Sequence, residues 1–158
     1  MVKLAFTEVE EAPLYFNLHG PIGKGYPASR QDDVLFVQYC FVVHAAKATV
    51  PQAPDILGKV ELTGAIDDAT VNAILFWQKF LRKTFSASSE VDGIVSTVKG
   101  GSHGSVFYRG GAHYAIFDLN IQMMADQGSI WPRLDKDPRC PAALGASIRT
   151  ALGAAVKP

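Results

Sequence analysis

Apolar positions in this chain follow different periods in different segments. Near the start, "KLAFTEV" and "PLYFNL" are short β-like runs, and "GPIGKGYPASR" after them is rich enough in Gly and Pro to be loop. From Asp32 and Asp33 onward, "VLFVQYCFVVHAAKA" is apolar on nearly every face. Val34, Val37, Phe41 and Ala45 form one stripe, while Leu35, Phe36, Val42 and Val43 cover others. The acid pair suits a first helical turn, where unpaired amides and the macrodipole favour negative charge. The length of the run favours a helix, with a strand as rival because Val, Phe and Tyr also fit a pleated surface. A helix that is apolar all round is predicted to be buried centrally or shared with a partner.

Residues 48–61 hold two prolines and a glycine and read as loop. The next helix is the clearest in the chain. Asp67 or Asp68 can cap it, Thr70 lies in its first turn, and Val71, Ile74, Leu75, Gln78 and Leu81 recur at helical spacing. Lys79, Arg82 and Lys83 gather in the last turn, at the helix's negative end. After a Ser-rich loop, Asp92-Gly93 echoes Thr63-Gly64 as a turn. "SVFYRGGAHYAIF" fits a hairpin about Gly110-Gly111. Tyr114 to Gln127 also fits a helix stopped by Gly128, with Ile116, Leu119 and Met123 inward, and this is the reading taken. An irregular "SIWPRLDKDPRCP" precedes a last helix, Ala142 to Val156, amphipathic through Leu144, Ile148 and Leu152.

Composition narrows the functional classes. A chain of 158 residues with 48% hydrophobic and 19% charged residues is one globular domain. Its 15 basic and 15 acidic residues lack the positive footprint that a phosphate backbone demands, so nucleic acid is not an expected partner. No apolar run reaches the roughly 18–20 residues of a bilayer span, so membrane insertion is not expected. The first twenty residues lack a continuous apolar region and carry three Glu, unlike a signal peptide. Synthesis in the cytoplasm is expected, with any delivery to the periplasm or envelope by a route without a cleaved signal. Cys40 and Cys140 are expected to be free thiols.

Candidate chemistry is sparse. The imidazole supply is His19, His44, His103 and His113. His103, His113 and Asp118 lack the tight spacing that gathers three ligands on one zinc ion, so the two histidines read as solvent-exposed loop residues. His44 reads as a hydrogen-bonded core residue. Cys40 and His44 share a helix face, but apolar neighbours bury it, and a buried thiol is inert. "GPIGKG" lacks the Lys-Ser/Thr ending of a phosphate loop. No catalytic or metal constellation emerges and no cofactor is expected.

The order of these landmarks resembles the peptidoglycan-binding-like domain, a compact three-helix module attached to cell-wall hydrolases and to secretion or phage components. "DVLFVQ" supplies Val34, Val37 and Gln38 of the first helix. "TGAIDDAT" supplies Gly64, Ile66 and Thr70 of the first turn, and "AILFWQ" supplies Ala73, Ile74, Trp77 and Gln78. "VDGIVS" supplies Asp92, Gly93 and Val95, and "IFDLN" supplies Ile116, Leu119 and Asn120. Three departures stand out: Thr63 replaces the first Asp, Asp67 and Ser96 replace the second Gly of each turn, and Trp77 replaces Phe. The glycines would reverse the chain at positive φ, Ile66 and Val95 would point into the core, Thr70 would bond amides at the helix start, and Gln78 would satisfy a neighbouring loop.

The resemblance implies a mainly α fold in a single domain. Its three-helix core would span residues 31–127 with a 97–112 insertion, small β or loop decorations, an N-terminal extension over 1–30 and a C-terminal extension over 128–158. It further implies a non-catalytic module that binds peptidoglycan fragments, in a secretion, lysis or phage-related system. Ligand contacts would come from His103, Tyr108, Arg109, His113 and Trp131. The competing expectation is a module repurposed as a protein–protein adaptor or homo-oligomer, supported by the apolar first helix and by Phe6, Leu14, Tyr15, Phe16, Ile130 and Trp131 in the flanks.

Overall fold

The computed structural model describes residues 2–85, 90–99, 106–107 and 113–155. It is mainly helical, with small antiparallel strands. The two β-like runs become β1 (Lys3–Phe6) and β2 (Leu14–Asn17), paired antiparallel with Lys3 opposite Asn17 and Phe6 opposite Leu14. The Gly-rich lead-in contributes β3 (Ile22–Gly23), which pairs not with its sequence neighbours but with β4 (Ile94–Val95), just past the Asp92-Gly93 turn. Between them run α1 (Gln31–Ala45), α2 (Ala53–Leu57) and α3 (Asp68–Phe85). The chain ends with α4 (Ala115–Gln127), a 3₁₀ turn at Leu134–Lys136, and α5 (Ala142–Ala155).

The strand alternative for Val34–Ala46 is thus not taken. Helix α1 lies at the centre: Val34, Phe36, Val37, Phe41 and Val43 are all buried, and α2, α4 and α5 pack against it. Its cover comes from the chain's own flanks, since Tyr15 and Phe16 of β2 are buried too and the Phe16 ring meets Phe36 at 5.6 Å. The expectation of a loop over residues 48–61 is corrected in part. Pro54 opens α2, where a missing N–H costs nothing, and Leu57 is buried. The preferred helix forms as α4, with Gly128 as its C-cap, and Phe107 and His113 before it form an isolated antiparallel bridge, while the turn at Gly110-Gly111 lies outside the described residues.

Four buried carboxamides organise the turns around this core. Gln38 Oε1 accepts the Gly64 N–H at 2.9 Å, while its Nε2 donates to the Ala65 carbonyl (2.9 Å), Thr63 Oγ1 (3.1 Å) and Thr70 Oγ1 (3.0 Å). Gln78 repeats the construction. Its Oε1 accepts from Gly93 (2.9 Å) and Asp92 (3.1 Å), and its Nε2 donates to the Ile94 carbonyl (2.9 Å) and Asp92 Oδ1 (2.8 Å). Asn120 of α4 grips β2 in the same manner, accepting the Phe16 N–H (2.7 Å) and donating to its carbonyl (2.9 Å). Asn17 does so for Val98, at 3.1 Å and 2.9 Å. Each side chain thereby acts as a one-residue strand partner, satisfying an N–H and a C=O of a neighbouring segment.

Gly64 (φ +71°) and Gly93 (φ +77°) are the reversals expected, and Val95 is buried beyond the second. Thr63 is no defect of the first turn. Its hydroxyl oxygen accepts the Ala65 N–H (3.2 Å), just as Asp92 Oδ1 accepts the Ile94 N–H (2.9 Å), so either short polar residue closes the turn. Asp67 caps α3 as expected, with Oδ1 accepting the Thr70 N–H at 2.7 Å, whereas the Thr70 hydroxyl accepts from Gln38 rather than from amides at the helix start. Trp77 is buried on the same face of α3, with His44 edge-on at 5.7 Å.

Candidate functional site

Of the residues expected to touch a ligand, His103, Tyr108 and Arg109 lie outside the described residues. His113 and Trp131 are described, and they do not meet. His113 precedes α4 and Trp131 follows it, so the 13-residue helix separates their backbones by ~20 Å. Trp131 is half-buried and sets its ring edge-on to Phe16 at 5.5 Å, as part of the core's cover. His113 packs on Phe107 (4.7 Å) and Phe117 (5.0 Å) and hydrogen-bonds Asp118 through Nδ1 at 3.0 Å. Burial raises the Asp118 carboxyl to about 6 although His113 opposes the shift. His113 is thus a partnered, half-buried residue, not a freely solvated one.

His44 also finds a carboxylate, with Nδ1 2.9 Å from Asp126 Oδ2, and Lys47 Nζ donates to the Asp126 backbone carbonyl. Cys40 lies one turn before His44 on α1, so a thiol, an imidazole and a carboxylate are grouped here. Burial, with Asp126 adding to it, pushes the Cys40 thiol far above its ordinary value. It is held as a neutral, enclosed thiol. Cys140 is raised to about 11, also chiefly by burial, and both cysteines are free.

A concavity with polar groups in its walls lies elsewhere, where the Gly-rich lead-in folds over the start of α1. It measures about 400 Å³, and His19, Pro21, Tyr26, Ser29, Arg30 and Asp33 are among its walls. The loop is tied to itself: the Tyr26 N–H donates to Gly23 at 3.0 Å, and Ser29 Oγ donates to Tyr26 (2.7 Å) and Pro21 (3.2 Å) carbonyls. It is also anchored to the second turn, because Lys24 N–H donates to the Gly93 carbonyl at 2.9 Å. Gly23 (φ +120°) lies so close to Gly93 that any side chain would collide with its carbonyl.

Asp33 forms the floor at 1% exposure. Its Oδ2 accepts the His19 N–H at 2.9 Å, whereas Oδ1 has no hydrogen-bond partner and sits 3.5 Å from His19 Nδ1, itself unpartnered. Burial raises the Asp33 carboxyl and lowers the His19 imidazole. At the rim, the Arg30 guanidinium pairs with Asp32 at 3.3 Å. Burial alone would raise Asp32, but hydrogen bonds, including those from Ser147 and Arg30, outweigh it and hold the carboxyl down to about 2.

Sequence reasoning assigned Asp33 to a helix start and "GPIGKGYPASR" to a loop. The first is right, and the second holds apart from β3, but neither shows that the loop folds back over the acid. The available signal was His19, a lone imidazole 14 residues before Asp33. Among the described residues no three His, Cys, Asp or Glu side chains gather closely enough to hold a metal ion, and no helix is long and apolar enough to cross a membrane. In comparisons with known proteins, no family model, no curated protein and no solved structure matches the chain.

Proposed function

We propose that this chain is a non-catalytic module of the peptidoglycan-binding-like type that binds cell-wall peptidoglycan, with the His19–Asp33 concavity as its site. The observation that carries this reading is the shared construction of the Thr63–Ala65 and Asp92–Ile94 turns. Each has a positive-φ glycine whose N–H is held by a helix glutamine, and the next carbonyl is held by the same amide. These are the residues on which the resemblance rests, and they act together as one repeated device. A wall strand offers amides, hydroxyls and charged peptide groups, which suit a shallow polar concavity with an aromatic rim such as Tyr26. Co-sedimentation tests the reading: the protein is expected to pellet with purified sacculi and to stay in solution with cellulose. A protein that remains in the supernatant with sacculi contradicts it.

The adaptor reading loses one support, because α1 is covered by its own chain. It keeps another in a groove of about 740 Å³ lined by Leu4, Phe6, Leu14 and Leu152, where Phe6 is 47% exposed. Reversible self-association in light scattering, abolished by Phe6→Ser, would favour it.

A further inference from the structure

Two buried polar atoms face one another in the concavity without a good hydrogen bond between them. Asp33 Oδ1 and His19 Nδ1 are 3.5 Å apart, too far for a good hydrogen bond, and neither has another partner. A buried carboxylate oxygen without a donor is costly, and native proteins seldom leave one so. Burial lowers His19, which favours the neutral ring, whose Nδ1 accepts in one tautomer and donates in the other. What Oδ1 lacks is a donor at full hydrogen-bond distance, and a cationic one would hold the carboxyl in its charged form. Two protein ligands are a poor metal set, since structural zinc sites hold four and catalytic ones three. Arg30 does not supply the donor, because its guanidinium pairs with Asp32 and Oδ1 is left without a partner.

We infer that the concavity binds a primary ammonium group, which donates to Asp33 Oδ1 and His19 Nδ1 at once. The –NH₃⁺ head carries three donors on a compact centre, whereas a guanidinium needs a planar fork of acceptors that this floor lacks. The His19 side chain is 25% exposed and its ring makes only the long 3.5 Å contact to Oδ1, so a small rotation admits an ammonium between the two atoms. Tyr26 and Pro27 at the rim offer apolar cover for an alkyl stem. Resting on the cell-wall reading, the ligand is the free side-chain amine of an uncrosslinked diamino residue in a wall peptide.

The test uses the whole protein and two probes, Nα-acetyl-lysine methylamide and the same molecule acetylated on its side-chain nitrogen. Amide NMR titration is expected to show shifts centred on residues 19–33 with the charged probe, and binding at least about tenfold weaker with the neutral one, as loss of a charge-assisted bond requires. Asp33→Asn, checked for native circular dichroism, is expected to lose the preference. Equal binding of the two probes, or shifts that map elsewhere, overturns the inference without any variant. Native sacculi and sacculi with acetylated amines separate the two levels. Pelleting with both, and no response to the charged probe, removes the ammonium site and leaves the wall reading. Probe binding without pelleting does the reverse.

Discussion

Gly23, Gly64 and Gly93 all stand at positive φ, yet the space around them differs, and so should the cost of adding a methyl group. At Gly93 a Cβ meets the Lys24 Cβ at an ordinary 3.4 Å, so only the backbone penalty applies and Gly93→Ala should cost about 1–2 kcal/mol. At Gly64 the Cβ lies 2.5 Å from the flexible Gln31 Cγ, which adds a smaller repacking cost. At Gly23 it lies 2.1 Å from a backbone oxygen that cannot retreat without breaking the β3–β4 pair, so this variant should cost roughly 3 kcal/mol or more. Urea denaturation should return the order Gly23, Gly64, Gly93 from most to least damaging, and any other order would misplace the turns. Asp118 gives a second residue-level prediction. Its folded-state carboxyl titrates at about 6 against 3.8 when unfolded, so the folded state binds the extra proton. Stability must then fall as pH rises from about 4 to 6, by roughly 3 kcal/mol for this group alone. Asp118→Asn should become more stable relative to wild type across that window. A difference that does not change with pH contradicts the assignment.

At the scale of elements, the helices were the most legible feature of the sequence, and the reason is periodic burial. The α3 pattern at Ile74, Gln78 and Leu81 and the first-turn acids of α1 mark their own segments. What pairs with what was less legible. Ile22 opposes Val95 across 73 residues, and two-residue strands carry no alternation to read. Gln38 and Gln78 could be recognised as polar members of apolar faces, but Asn17 could not be singled out, because its partner Val98 belongs to an irregular segment. The α2 turn was hidden by its two prolines, which signal loop as strongly as they permit a helix start at Pro54. The amide clamps predict their own cost. Gln38→Leu and Gln78→Leu each strand a buried glycine N–H, so each should lose about 1–3 kcal/mol, well beyond the tenths expected at an exposed polar site such as Asn72. Losses below about 0.5 kcal/mol would mean that water replaces the amides readily.

For the whole molecule, the fully apolar α1 raised the question of whether one small domain could bury it. The two flanks supply the answer: Tyr15 and Phe16 from β2 and Leu144 and Ile148 from α5 are all buried in the same core cluster. The extensions are part of the fold, and light scattering should find a monomer near 17.0 kDa at micromolar concentration, where a stable dimer would revive the adaptor reading. The site was the least legible part, since it arises where residues 19–30 fold onto Asp33 and depends on contacts to Gly93 that no local pattern announces. The central claim is that side-chain amides, rather than strand ladders, lock the turns between helices and so hold the loop over the pocket. Amide hydrogen exchange tests it most directly. Gly64 and Gly93 lie in turns, but their N–H groups should exchange nearly as slowly as the α1 interior and accelerate sharply in Gln38→Leu and Gln78→Leu respectively. Exchange in wild type at the rate of an open loop would contradict the account.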